Sequence, residues 1–484
     1  MQNPANSSAD ASETAGRGTS QQVVAVTAAG LGMFLAALDI AVNVGLPSLR
    51  SHFGTDLQTV QWVIVVFIAT RAGLVMGAGS FADRFGLKTV YLFGTVTYLA
   101  SMVLIALSPN LGLVVAFRAL QALGTGCLYA VSPAIAAEVF PAHRRGLGMG
   151  FTTASQAFGM LAGTLGAGLL VQWFGWQAIF LGRIPFTLIA LVLGLLFLQG
   201  RSRAAGQPPF DLIGAITLLG TLLSLVIGLR LGRSEGWTFW PVLVLLPLAP
   251  IFLAWFWRTE GRAAWPVLPK SLLRVPGFVA SGSGMFLAHF GVFVVWFIFP
   301  FYIVDSLGRG PLALGVMLAT MACFNIGFSA WGGWLSDWLG PRLVGTAGLV
   351  ILGAGLLLMG FLQQDSPLAQ VGVRIGIVGS GLGLFQAAAY ALMLGSVAPD
   401  RYGTAGGALS LAQAFGTVLS VSIVGGIFAL SSQFHLEQLA ASGIDSAQLP
   451  AHAFILAFQD VFRLGAVVSG TGAVIFFILG RRPP

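Results

Sequence analysis

Long apolar stretches follow one another along almost the whole chain, separated by short polar breaks. A helix of about 20 apolar residues matches the thickness of a bilayer's hydrocarbon core. Lipid offers no partner to unpaired backbone groups, and no alternating barrel-strand pattern competes, so each stretch is expected to be helical. Fourteen spans are predicted, at roughly 24–47, 59–82, 89–108, 111–137, 146–171, 177–198, 211–231, 241–258, 277–303, 312–335, 343–363, 368–396, 404–430 and 455–480. Longer polar interruptions fall at 199–210, 259–276 and 431–454. Residues 1–21, rich in Ser, Ala, Asn and Gln, read as a disordered cytoplasmic tail.

Composition agrees with this pattern. Of 484 residues, 56% are hydrophobic and 8% charged, against about 25% charged in soluble domains. So little charge cannot solvate a globular surface, and most of the outside must face lipid. The net charge of +8 does not point to nucleic acid, because the bases are scattered over short loops. With the N-terminus inside, fifteen Lys and Arg fall on the inner side and four on the outer. That is the bias of cytoplasmic loops, and it places both termini in the cytoplasm. Cys127 and Cys323 lie far apart in apolar runs. Each is expected to be a buried, inert thiol, with no disulfide framework or metal cluster.

The chain repeats itself. Gly79-Ser-Phe-Ala-Asp83-Arg84-Phe-Gly86-Leu-Lys88 returns 254 positions later as Gly333-Trp-Leu-Ser-Asp337-Trp-Leu-Gly340-Pro-Arg342. Arg118 with Gly124 and Gly126 is echoed by Arg374 with Gly381 and Gly383. Gln156-Ala-Phe-Gly159 is echoed by Gln413-Ala-Phe-Gly416, 257 positions on. Three matches in register indicate a duplicated unit. The offset exceeds the length of six spans by about 80 positions, which locates two inserted spans. The expected organisation is a tail at 1–21 and an N-terminal six-helix bundle at 22–198. A linker with two extra spans follows at 199–276, then a C-terminal six-helix bundle at 277–484. The fold class is an all-α polytopic membrane protein of fourteen transmembrane helices. Parallel halves related by an axis along the membrane normal place a site between them.

These motifs resemble the major facilitator superfamily. Gly79-x-x-x-Asp83-Arg84-x-Gly86-x-Lys88 looks like its signature between the second and third spans. Leu38-Asp39-x-x-x-Asn43-Val-x-Leu46-Pro47 is similar to the first-span signature of the fourteen-span drug:proton antiporters. Arg118-x-x-Gln121-x-x-Gly124-x-Gly126 looks like the fourth-span signature linked to proton coupling, and Phe210-Asp211-x-x-Gly214 resembles the same branch. Two positions depart from the pattern. Gly163 is followed by Thr164 where the fifth span usually has Gly-Pro. Arg183 stands two before Pro185 where the branch has Asn before its Pro.

An ionisable group at bilayer depth is expensive and faces a cavity or a partner. Asp39 is the one acid placed deep in a span. It is either a proton-coupling group or half of a static ion pair with Arg71 or Arg118. Asn43, one helical turn on, can hydrogen-bond its carboxylate. Arg118 cannot release its proton, so it tunes Asp39, binds an anion or pairs structurally. Gln121 either contacts substrate or braces Arg118. Arg71 and Arg183 are unexpected cations within spans and are candidate substrate contacts. His289 shares a helix face with Met285, Phe293 and Trp296. This is either an aromatic wall for an amphiphilic cargo, with His289 as its polar point, or ordinary packing. The repeated motif, comprising Gly79, Asp83, Arg84, Gly86, Lys88, Asp337, Gly340 and Arg342, is a gating candidate. Its glycines permit tight turns and its acids can cap the next helix, and the resemblance implies a latch between halves. The bland reading is a plain positive loop.

The expected function is proton-coupled export of small organic or amphiphilic compounds by alternating access, of the multidrug efflux type. The alternative is a carrier for an organic anion, proton-coupled or facilitative. An enzyme is not expected, because the five histidines are dispersed. No Gly-x-x-x-x-Gly-Lys loop for ATP is present. No cofactor is expected; a proton gradient supplies the energy. The expected partners are a small-molecule substrate, protons and the lipid bilayer, with no nucleic acid, in a monomer of the bacterial cytoplasmic (inner) membrane.

Overall fold

A computed structural model of the chain describes residues 22–139, 145–198, 212–234, 236, 238–260, 271–397, 402–441 and 448–481. The expected tail at 1–21 and the interruption at 199–210 lie outside them. Among the described residues every regular element is helical. The N-terminal six are α1 (Gln22–Phe53), α2 (Trp62–Phe85), α3 (Leu87–Ala106), α4 (Leu111–Val139), α5 (Arg145–Phe174) and α6 (Ile184–Phe197). Two linking helices follow, α7 (Leu212–Ser234) and α8 (Trp240–Glu260). The last six are α9 (Pro276–Phe297), α10 (Pro311–Leu339), α11 (Pro341–Met359), α12 (Leu368–Leu394), α13 (Tyr402–Ala441) and α14 (Leu449–Leu479). Among the described residues, twelve stretches are long and apolar enough to cross a membrane. α2 and α7 fill the second and seventh expected positions with shorter apolar cores, Leu57–Arg71 and Ile216–Leu229.

The packing repeats as the sequence does. α2 and α3 lie against α4, as α10 and α11 lie against α12. α1 rests on α5 as α9 rests on α13. Small residues permit these approaches. A Cβ on Gly348 would stand 2.9 Å from the Gly381 carbonyl oxygen, and one on Gly94 3.1 Å from that of Gly124. The halves meet through α5 with α10 and through α2 with α13. α7 packs against α2 and α13, so it touches both halves.

At one end of the bundle the halves are joined. Arg50 at the end of α1 pairs with Asp305 at 2.9 Å, and its guanidinium also lies over the Phe301 ring. Asp305 sits in a π-helical turn, Tyr302–Ser306, that continues α9. At the same end the backbones of α5 and α10 touch. A Cβ on Gly315 would stand 2.7 Å from the Thr164 carbonyl oxygen.

Two expectations about extent and burial are corrected. The interruption at 431–454 is largely helical, because α13 runs through to Ala441 and α14 begins at Leu449. The segment has Gln, Leu, Glu and Ala in place of a breaker. At 40 residues α13 is about 60 Å long, twice the hydrocarbon thickness. Its far part is pinned to α14, where Asp460 accepts from Ser431 at 2.5 Å and lies 2.8 Å from His435 Nε2. Cys127 is buried as expected, but Cys323 is exposed. Cys323 lies on the face of α10 that carries the exposed Phe324, away from the buried Met321 and Asn325 face.

Candidate functional site

Helix α1 changes its winding at the one acid it carries. Residues Leu38–Ala41 form a 3-10 turn with Asp39 in it. α5 backs this turn closely, since a Cβ on Gly163 would stand 3.3 Å from Leu38 Cα. Asp39 is 5% exposed. Its Oδ1 accepts from Gln121 Nε2 at 2.5 Å and from Arg183 Nη1 at 2.7 Å, and lies 3.3 Å from the Tyr98 hydroxyl. Its Oδ2 accepts from Thr125 Oγ1 at 2.8 Å. The carboxylate thus accepts from Gln121, Arg183 and Thr125, while the single Tyr98 proton lies nearer the Leu35 carbonyl at 3.1 Å.

Two guanidiniums flank this carboxylate. Arg183 is 3% exposed, and its Nη2 also donates to the Leu38 carbonyl at 2.7 Å. Arg118 is 1% exposed and stands farther off, with Nη1 4.0 Å from Asp39 Oδ1. Arg118 donates to the Val63 carbonyl at 3.1 Å and to Gln121 Oε1 at 2.5 Å, and it lies 3.9 Å over the Phe67 ring. Gln121 therefore bridges Arg118 to Asp39. The direct partner of Asp39 is Arg183, not the Arg71 or Arg118 considered from sequence. Tyr98 and Thr125 complete the cage. Thr125 lies between the two glycines of the fourth-span motif, whereas nothing in the sequence marks Tyr98.

A buried charge persists when it is paired and hydrogen-bonded. The cage provides that for ionised Asp39. A proton arriving on Asp39 would remove the ionic part of its contact with Arg183 and oblige the donors to rearrange. The arrangement can therefore couple a protonation event to movement of α4 and α6 against α1.

The remaining expected residues are placed as follows. Asn43 does not reach Asp39; it donates to the Ile40 carbonyl at 3.0 Å, and its buried Oδ1 has no partner among the described residues. The reason is the 3-10 turn, which advances each residue by about 120° where an α-helix advances about 100°. Arg71 is partly exposed on α2, over the rings of Phe67 at 5.4 Å and Tyr129 at 5.2 Å. In the other half His289 is buried, with Nδ1 3.0 Å from the Met285 carbonyl. A carbonyl can only accept, so Nδ1 carries the proton and Nε2 presents a lone pair. Gln386 Nε2 meets that lone pair at 3.3 Å, and Asn325 donates to Gln386 Oε1 at 3.3 Å. Asn325 and Gln386 were missed, although an amide inside an apolar run is a readable signal. Phe293 and Trp296 are both buried beside His289.

The repeated motif forms matching turns. Gly86 and Gly340 have φ of 87° and 82°, which a side chain would strain. Lys88 Nζ donates to the Leu195 carbonyl of α6 at 2.9 Å. Arg342 Nε donates to the Phe477 carbonyl of α14 at 2.7 Å. Each base thus sits at the C-terminal end of the sixth helix of its own half, where a cation is favoured. Gly79 lies within α2, and the side chains of Asp83 and Arg84 lie outside those described. Asp337 lies in the last turn of α10 and does not cap α11, whose N-terminus has no side-chain cap.

A charged cage inside one of two repeated, apolar bundles fits the architecture of a membrane transporter. A family model described as Major Facilitator Superfamily matches residues 29–214 and 281–484, and the chain belongs to that family. Multidrug resistance protein Stp of Mycobacterium tuberculosis (strain CDC 1551 / Oshkosh) is 28% identical over 447 residues, covering 89% of this chain and 83% of that protein. The methylenomycin A resistance protein of Streptomyces coelicolor is 28% identical over 414 residues, covering 83% and 85%. A bacterial homolog of the human lysosomal transporter Spinster, solved in an inward-facing, unoccupied conformation, shares the fold. Its TM-score is 0.70 at 15% identity, covering 95% of this chain and 97% of that one.

Proposed function

We propose that this chain is a proton-coupled secondary transporter that exports small organic or amphiphilic compounds by alternating access, with Asp39 as the proton-binding group. The observation that carries the reading is the buried Asp39 carboxylate, held by Arg183, Gln121 and Thr125 at mid-span. Acids at bilayer depth mark ion and proton pathways. The resistance proteins among the relatives support export of a toxic compound. No cofactor takes part, and the working unit is a monomer. The surplus of bases on one side supports a bacterial cytoplasmic membrane with both termini inside. In that orientation the Arg50–Asp305 contact lies on the outer side, which supports reading the two halves as joined toward the exterior.

The test is reconstitution in vesicles with a pH gradient, using carboxyfluorescein, rhodamine 123 and Nile red as probe cargoes. Gradient-driven accumulation of at least one probe is expected. Asp39→Asn is expected to abolish that accumulation while leaving probe exchange without a gradient. Gradient-driven flux that survives Asp39→Asn unchanged refutes the assignment.

A further inference from the structure

We propose that the cargo carries an anionic group, bound by Arg71, and a neutral polar group, received by the Asn325–Gln386–His289 string of the opposite half. This rests on the reading of the chain as a small-molecule transporter, not on the sense of its proton coupling.

Arg71 stands apart from Arg118 and Arg183, which are buried, whereas it is partly exposed. Asp39 is enclosed by Arg183, Gln121, Thr125 and Tyr98, with Arg118 behind Gln121. Among the described residues Arg71 has no carboxylate partner, and its guanidinium rests on the ring faces of Phe67 and Tyr129. The Phe67 ring already carries Arg118 at 3.9 Å. Ring faces attract a cation but accept few of the five N–H bonds a guanidinium offers. Tyr129 is itself fixed by a hydrogen bond from Gln156. Among the described side chains, this half thus holds Arg71, Arg118 and Arg183 within predicted spans against the single carboxylate of Asp39. A cation at this depth calls for a counter-ion, and a planar fork suits a carboxylate or another oxyanion.

The repeat shows where the other end of such a cargo would lie. Asn325 stands 254 positions after Arg71, and Gln386 stands 257 after Tyr129. These are the offsets of the duplicated motifs. The Arg71–Tyr129 contact between α2 and α4 and the Asn325–Gln386 hydrogen bond between α10 and α12 are therefore equivalent places in the two halves. One is cationic and aromatic; the other is a row of neutral amides ending on a histidine lone pair. A lipophilic cation would meet Arg71 unfavourably. An organic anion with an apolar body and a neutral hydrogen-bonding group complements both sides.

The test uses full-length protein in nanodiscs, titrated with carboxyfluorescein and with rhodamine 123 and followed by fluorescence anisotropy. The two dyes share a xanthene frame and differ in charge. Carboxyfluorescein is expected to bind roughly ten-fold tighter or more, the scale of one charge-assisted contact. Arg71→Gln is expected to erase that preference. Arg71→Lys keeps the charge without the fork and is expected to lose several-fold in affinity. Asn325→Leu is expected to weaken carboxyfluorescein binding while the preference for the anion remains. A variant counts only if its thermal unfolding midpoint matches wild type, and Arg71→Lys carries the test if Arg71→Gln does not fold. The proposal is overturned by any of three results. These are no saturable carboxyfluorescein binding, rhodamine 123 binding as tightly, or Arg71 variants indistinguishable from wild type. Failure of proton coupling would leave these binding results standing, and loss of anion preference would leave the Asp39→Asn vesicle result standing.

Discussion

Removing Arg183 tests whether it, and not Arg118, is the counter-ion of Asp39. Their guanidinium nitrogens lie 2.7 Å and 4.0 Å from Asp39 Oδ1. Attraction falls inversely with distance, so at equal dielectric Arg183 pulls about 1.5 times as strongly. Breaking a buried pair from one side costs about 3–5 kcal/mol. Gln121, Thr125 and Tyr98 would still solvate the carboxylate, so Arg183→Met is expected near the lower bound, about 3 kcal/mol. In an Asp39→Asn background no carboxylate is stranded. The same substitution there is expected to cost about 1–2 kcal/mol, mostly the lost bond to the Leu38 carbonyl. The coupling energy between positions 39 and 183 is then about 1–2 kcal/mol. Equilibrium unfolding in mixed SDS micelles of the four proteins in the cycle gives this value, and a parallel cycle with Arg118→Met gives the comparison. Additivity within about 0.5 kcal/mol at 39 and 183, or a larger coupling at 39 and 118, refutes the assignment.

Three further expectations concern the joined end of the bundle. Arg50→Cys with Asp305→Cys, in a Cys127→Ala, Cys323→Ser background, is expected to lose vesicle transport when bridged by a short cleavable thiol crosslinker and to regain it on cleavage. Asp305→Asn should change stability by no more than about 1 kcal/mol, because the pair is about a third exposed; undiminished transport by the bridged protein contradicts the gate. Gly315→Val would press on the Thr164 carbonyl oxygen and on Gly168 Cα at 3.1 Å, backbone atoms that cannot rotate away. It should force α5 from α10 and speed maleimide labelling of a lone cysteine at position 50 several-fold; an unchanged labelling rate rules this out.

The helices were legible because crossing lipid demands an apolar run of about 20 residues, and most spans carry one. The duplicated motifs were legible because a turn with positive φ, as at Gly86 and Gly340, leaves a glycine in the sequence. Asp39 stood out as a lone acid in an apolar run. Its partner was less visible: Arg183 is 144 positions away, and no spacing rule selects it over the Arg118 of a familiar motif. The Asn43 contact failed for a local reason, since a 3-10 turn at Leu38–Ala41 leaves no composition signal. The extent of α13 was missed because polar helix formers read as a loop once the apolar run ends.

The helix α7 lies against α2 and α13, one from each half, with its Leu219 over Gly73. The two seams between the halves are therefore unlike. One is buttressed by a third body, and the other, between α5 and α10, includes a close backbone approach at Thr164, Gly168 and Gly315. If the halves rock as proposed, α7 would have to slide with them, so friction would fall on a single flank and a tilt symmetric in the repeats would become lopsided.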